Sequence, residues 1–270
     1  MQEEGVDVSR VVVSDATASA FTYIIVDREG FTRTCLHTPQ TEDMLPSEVS
    51  AALLEGVSVV HLDSRHTAAA IALAQLANEI RNIPVVVDAE KDRPHFKELL
   101  PLADYIICNG NFPQAFTGRP SREEALQHLL SQGRAKLVAS TLGAEGCVVV
   151  TREEAPPWSG YNDVSVPAKC PMDISTSRVS CDVGASSDGG LLVVRAPSWP
   201  VSDNEIVDTT GAGDSFIAAF IYGVTNGIGI GRTLALSSLV AARKLSKPGA
   251  RAGVPTLEQL TKDWPELLTA

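Results

Sequence analysis

The sequence predicts an α/β fold, a parallel sheet flanked by helices, with a small β-rich segment in front of it. Three observations carry this reading. Short, almost wholly apolar runs recur from residue 57 to residue 151, separated by helix-forming stretches. The first forty residues are instead rich in β-branched and aromatic side chains. A glycine-rich turn leads directly into a helical run at Gly211. Apolar strands alternating with helices are the pattern of a sheet buried on both faces and joined by right-handed crossovers.

The elements follow in order. Val11–Val13, Phe21–Asp27 and Phe31–His37 read as β structure, with a hairpin turn over Asp27-Arg28-Glu29-Gly30. Thr22, Ile24 and Val26 alternate with Tyr23, Ile25 and Asp27, so one face is the more polar. After Pro46 the rhythm changes. Ser47 can cap a helix running to Leu54. Strands are expected over Val57–Leu62, Pro84–Asp88, Tyr105–Cys108, Lys136–Ser140 and Gly146–Thr151. Between them, helices are expected over Thr67–Ile80, Pro94–Leu100, Phe112–Phe116 and Arg122–Leu130. Arg152–Gly190 is rich in Pro, Ser, Asp and Gly and reads as one long irregular loop. Leu191–Val194 returns as a strand, and Gly211–Tyr222 and Arg232–Leu245 as helices. The compositional break near residue 40 divides the chain into a partial β lid, residues 1–40, and an α/β domain, residues 41–270.

Composition narrows the function classes. Of 270 residues, 22 are Lys or Arg and 33 are Asp or Glu, giving a net charge of −11. That balance argues against nucleic acid or an anionic membrane as the main partner. Hydrophobic residues are 44 % and charged residues 20 %, an ordinary globular mix with enough apolar surface for a substantial core. The uncharged stretch Ser215–Gly231 holds Thr225, Asn226 and four glycines, so it would span a membrane poorly. Met1–Gly5 lacks the basic-then-apolar order of a secretory signal, and the five cysteines never form a C-x-x-C pair. Free thiols and a cytoplasmic location are the expectation, with a transit peptide upstream of the present start left open.

The sharpest chemistry lies in Val207-Asp208-Thr209-Thr210-Gly211-Ala212-Gly213-Asp214-Ser215-Phe216. A short strand is expected to end in this turn, and a helix to begin there. Gly211 and Gly213 permit positive φ and close approach, and successive N–H groups at a helix start form an anion nest. A carboxylate in the first turn would repel a bound phosphate. It makes sense if Asp214 must take a proton from a hydroxyl attacking that phosphate. No Gly-Lys-Ser/Thr follows, so this is not a Walker A loop, and Phe216 stands where a dinucleotide fingerprint needs its third glycine. An Asp-capped helix after a tight turn is the bland alternative.

The longer pattern Asp208–Asp214, followed by Ala218 and Ala219, resembles the C-terminal signature of the ribokinase/PfkB family of sugar kinases. Thr141-Leu142-Gly143-Ala144-Glu145-Gly146 is similar to the family's nucleotide-holding turn, and Lys247-Pro248-Gly249-Ala250 to its late Gly-Ala turn. Within the family the N-terminal part looks most like the ketohexokinases, through Gly5–Ser9, Arg33–His37, Val60–Arg65 and Val87–Lys91. Together these cover roughly Gly5 to Gly253 in order.

The resemblance implies a ribokinase-like fold with a partial β-sheet lid and an ATP-dependent kinase acting on a hydroxyl of a small sugar, a ketohexose such as fructose. It implies Asp214 as catalytic base, with the N–H groups of Gly211, Ala212 and Gly213 as the anion hole. It implies that Arg33, Gly143, Ala144, Glu145, Gly146, Gly249 and Ala250 bind ATP. It also implies Asp208 beside a monovalent cation such as K⁺, with Mg²⁺ placed by Asn109 or Glu90. Relatives pair through the lid, so a homodimer is implied as well.

Two departures matter. Many relatives carry Asn-x-x-Glu where this chain has Asn109-Gly110-Asn111-Phe112. Relatives also begin with a strand bearing a substrate-binding Asp, then lid strands and a Gly-Gly segment, and the first residues here match the part of the family pattern beyond those elements. The resemblance therefore implies a chain lacking its N-terminal portion. A non-catalytic form that binds nucleotide or a partner protein is the alternative this raises, and a kinase for ribose or a nucleoside is the second. Three further features have plain readings. His61 and His66 are a conceivable metal pair but suit strand-end and cap roles. Cys170 and Cys181 could bridge a flexible loop. Gly227–Gly231 follows a helix, so it reads as an inter-helix turn.

Overall fold

The computed structural model describes residues 2–15, 18–27, 32–152, 163–179 and 190–269. The hairpin turn over 28–30, the Glu153-Glu154 pair and Cys181 lie outside the described residues.

Strands β1 (Phe21–Asp27) and β2 (Thr32–Thr38) form a separate two-stranded antiparallel ribbon. The remaining strands make one seven-stranded sheet. In chain order they are β3 (Val60–Leu62), β4 (Val85–Ala89), β5 (Tyr105–Asn109), β6 (Leu137–Thr141), β7 (Cys147–Arg152), β8 (Ser175–Val179) and β9 (Leu191–Ala196). Their spatial order is β3-β4-β5-β6-β7-β9-β8. β3 to β6 are parallel, as expected, but β7, β9 and β8 join antiparallel. The cause is local. Only Leu142–Gly146 separate β6 from β7, far too few residues for the dozen or more that a parallel crossover needs.

The helices are α1 (Thr67–Leu76), α2 (Phe96–Leu99), α3 (Phe112–Thr117), α4 (Arg122–Ser131), α5 (Ala212–Thr225), α6 (Ile230–Lys244) and α7 (Leu257–Asp263). They cover both faces of the sheet. Val86, Tyr105, Ile107, Leu137 and Ala139 point into a core with Phe216, Phe220 and Leu236 of α5 and α6. Their neighbours Val85, Val87, Ile106, Cys108 and Val138 point the other way, against Phe96, Leu99, Leu126 and Leu129 of α2 and α4. The two-residue period of a strand thus divides one continuous apolar run between two cores.

Several expectations are corrected. Val11–Val13 form no strand; Val13 is 84 % exposed and no neighbouring strand supplies hydrogen bonds. Ser47–Leu54 is two 3₁₀ turns, because Val49 and Ser50 adopt extended backbone between them. The segment before Gly211 is not a strand; the N–H groups of Val207 and Asp208 both donate to the carbonyl of Leu245 at the end of α6. The long irregular loop contains β8, whose polar sequence Ser-Thr-Ser-Arg-Val fits an edge strand paired on one side only. Helix α7, capped by Thr256 and Gln259, is an element beyond those the sequence pattern predicts.

At the starting ends of the parallel strands a buried carboxylate ties three of them. Asp104 is fully buried, 3.0 Å from both Arg134 and Lys136, and accepts the Val85 N–H at 3.0 Å. Gly227–Gly229 lie in the turn from α5 to α6, as their position after a helix implies, while Ile230 and Gly231 already open α6.

Candidate active site

The glycine turn sits between α6 and α5. Gly211 has φ +79°, and a Cβ there would lie 2.7 Å from the Ala250 carbonyl oxygen, so only glycine fits both the backbone and the space. Helix α5 begins at Ala212, with Asp214 exposed in its first turn. The Ala212 N–H leans on the Thr209 carbonyl at 3.2 Å. Among the described residues no backbone acceptor outside α5 takes the N–H of Gly211 or Gly213. Those two amides stand at the positive end of a 14-residue helix, a geometry that suits an anion.

Asp208 locks this turn from behind. Its carboxylate accepts the Thr210 N–H at 2.8 Å and the Gly249 N–H at 2.7 Å. Thr210, then Gly249 and the Lys244 ammonium, hold its pKa down at about 2. The Lys244 ammonium, fully buried, donates to the Asp208 carbonyl at 2.6 Å. Gly249 and Ala250 therefore buttress the turn rather than wall the neighbouring cavity.

Opposite the nest lie the ends of β3 and β4. Burial, reinforced by Glu90, Asp214 and Asp63, pushes the Asp88 carboxyl up to about 7, with Arg65 pulling the other way. Burial lowers the His61 pKa against the opposing pull of Asp63 and Asp214. Asp214 is thus one of a group of carboxylates gathered from three elements, and such like-charge crowding marks sites where protons move. In the sequence Asp63 and Asp88 stand out only as members of family-like segments; the strand-end position of each, after an apolar run, is the signal that points to them.

On the other side of the nest is a cavity of about 350 Å³. Gly143, Ala144, Gly146, Ala212 and Gly213 line it, so the structure brings the Gly143 turn and the nest to one pocket. Gly143–Glu145 is a 3₁₀ turn closed by Leu142 N–H to Gly146 carbonyl at 2.7 Å. Gly146 has φ +92°, and a Cβ there would meet the Ala196 carbonyl oxygen at 2.1 Å. Trp199, Ile206, Phe216 and Leu245 give the cavity apolar walls. Nothing in their sequence spacing points to them. Such a slot with an anion nest at its edge suits a flat apolar base joined to phosphates.

Arg33 lies in β2 opposite Val26, and its side chain is outside the described residues. His66 pairs with Asp43 at 3.0 Å below the ribbon, and Cys170 is partly buried against the α5–α6 core.

The residues fit the two implied ions differently. Glu90 is exposed beside Asp88, and a hard carboxylate oxygen there suits Mg²⁺. Asn109 does not suit it as well, because its Oδ1 accepts the N–H groups of Asn111 and Phe112 at the start of α3. A monovalent cation beside Asp208 does not fit. It would have to share the Asp208 carbonyl with the Lys244 ammonium, placing like charge against like charge in a buried setting.

The model of the pfkB family carbohydrate kinases matches residues 1–166 and 186–257. The chain belongs to that family. It is 24 % identical over 261 residues to an ATP-dependent ribose-1-phosphate kinase of Halopiger xanaduensis, covering 96 % of this chain and 72 % of that one. It is 26 % identical over 168 residues to an ATP-dependent 6-phosphofructokinase of Thermoanaerobacterium thermosaccharolyticum, covering 62 % of this chain and 39 % of the relative. The match to that relative therefore spans well under half of its length. Among solved structures, the nucleoside kinase of Burkholderia thailandensis in complex with inosine shares the fold. Its TM-score is 0.67 at 17 % identity, covering 97 % of this chain and 73 % of that one. No helix among the described residues is long and apolar enough to cross a membrane.

Proposed function

We propose that the protein transfers the γ-phosphoryl group of ATP to a hydroxyl of a small sugar, with a ketohexose such as fructose as first candidate. The observation that carries this reading is the exposed Asp214 carboxylate in the first turn of α5, one residue beyond the unpaired Gly213 amide. The base of ATP occupies the slot beside Trp199 and Gly146, and its phosphates reach the nest. The substrate oxygen forms a bond to the γ-phosphorus, the bond from that phosphorus to the bridging oxygen breaks, and ADP leaves. Asp214 accepts the hydroxyl proton, and the Gly211 and Gly213 amides hold the transferred group. Mg²⁺ would supply charge neutralisation on the ATP phosphates, with the exposed Glu90 carboxylate as the residue that would hold it.

Ribose or a nucleoside is the second reading. The names of the Halopiger and Burkholderia relatives favour it, since they concern a ribose phosphate and a nucleoside. The exposed Phe21, Tyr23, Ile25 and Leu36 on one face of the lid ribbon support pairing with a second copy.

The test is ADP release from ATP and Mg²⁺ with fructose, ribose, a nucleoside or no acceptor. Asp214→Asn is the control, with an expected loss on the order of 10²–10⁴ in kcat. Acceptor-dependent release that survives in Asp214→Asn would remove the proposed base. A folded chain that binds ATP but releases no ADP with any acceptor would be a binding protein.

A further inference from the structure

The cation-site disagreement at Asp208 has a positive side. Lys244 is the last residue of α6, and none of its surface reaches solvent. Burying an ammonium is costly unless oxygen atoms replace its water. Here they do. Nζ donates to the Asp208 carbonyl at 2.6 Å and approaches the Lys247 carbonyl at 3.4 Å, and the Asp208 carboxylate contributes attraction. The negative end of α6 adds to this. Gly253 closes over the same residue, for a Cβ there would lie 2.4 Å from the Lys244 carbonyl oxygen. The oxygens belong to the two loops that shape the nest, one running into Gly211 and one carrying Gly249 and Ala250.

We infer that the Lys244 ammonium is a built-in monovalent cation. It holds the two loops together behind the nest and sets a fixed positive charge there, where a dissolved ion would otherwise be needed. This rests on the reading of the nest as a phosphate site, and Lys244 acts as a positioning residue. The chain is then indifferent to the identity of the monovalent cation in solution.

The test compares the wild-type chain and Lys244→Met at constant ionic strength in potassium, ammonium or tetramethylammonium chloride. Thermal melting is one readout and ADP affinity by calorimetry the other. The wild type is expected to melt at the same temperature and bind ADP within twofold in all three salts. Lys244→Met is expected to melt lower in tetramethylammonium and to bind ADP about tenfold more weakly, the scale of one charged hydrogen bond. Ammonium or potassium, entering the vacated space, should restore both. A wild type that gains stability or affinity severalfold in potassium overturns the proposal, and this arm needs no folded variant. So does a Lys244→Met variant that matches the wild type in tetramethylammonium. If no ADP binds in any salt while melting follows the expected pattern, the ammonium's place stands and the nucleotide reading falls.

Discussion

Replacing Gly146 by alanine tests the pocket wall most directly, because the structure supplies its own control three residues away. At Gly146 two costs add. A side chain at φ +92° is strained by about 1–2 kcal/mol. The new Cβ would also sit 2.1 Å from the Ala196 carbonyl oxygen and 2.5 Å from the Pro197 carbonyl carbon. Those are backbone atoms of a paired strand and the residue after it, so they cannot swing aside, and overpacking of this kind costs about 1–3 kcal/mol. The sum centres near about 3.5 kcal/mol, which for a chain of this size lowers Tm by roughly 7–14 °C. Gly143 also has positive φ, +60°, but a Cβ there would meet nothing within 4 Å. Gly143→Ala should therefore carry the strain alone, about 1.5 kcal/mol and roughly 3–6 °C. Both variants should be melted with and without saturating ADP. Gly146→Ala should also lose part of the ADP-induced rise, since the strand it displaces leads into Trp199. Equal falls in the two variants, or a Gly146→Ala chain that melts like wild type, would refute the packing argument.

Other expectations come from charge and exposure. Asp88, held near 7 in the fold against an ordinary 3.8, binds its proton more tightly when folded. The stability this contributes is complete below about pH 4 and is lost as pH rises toward 7, so urea midpoints should fall across that window and the fall should flatten in Asp88→Asn. A steeper fall in the variant would contradict the burial of that carboxyl. Tyr23, 67 % exposed on the apolar face of the ribbon, should be needed for pairing, so Tyr23→Glu should shift a dimeric mass by light scattering to that of one chain. A mass unchanged by the substitution would place any pairing elsewhere.

Much of this fold can be read from the chain, for physical reasons visible in particular residues. Val85-Val86-Val87 and Tyr105–Cys108 are buried on both faces, and only a covered sheet gives such uniform runs. Asp208–Asp214 stands out in the sequence as a candidate site because a carboxylate next to a nest conflicts with plain phosphate binding. The antiparallel half is not legible, because apolar strands look alike in either direction and only the five residues between β6 and β7 decide it. The strand β8 hides in polar residues, since an edge strand need not be apolar. The apolar walls of the slot beside Trp199 cannot be read, although the Gly143 turn at its edge can. Those walls come from the loop after β9, α5 and α6, and no local period links them. The burial that raises Asp88 is likewise a property of the closed sheet, not of its neighbours in sequence.

Asp104 and its two cations sit at the starting edge of β4, β5 and β6, while Glu90, Asn109 and the Gly143 turn sit at the finishing edge. About five residues of strand, roughly 16 Å, separate the two edges. The sheet is thus clamped at one end like a ruler fixed to a bench. Charge at the clamped end is neutralised and spent on rigidity; at the free end several carboxylates crowd together, with Arg65 beside Asp63 as a counter-charge. Loops on the free end can open or tighten without unpicking the clamp, so a change at Asp104 should register in how long the chain survives heating and urea rather than in which molecules it handles.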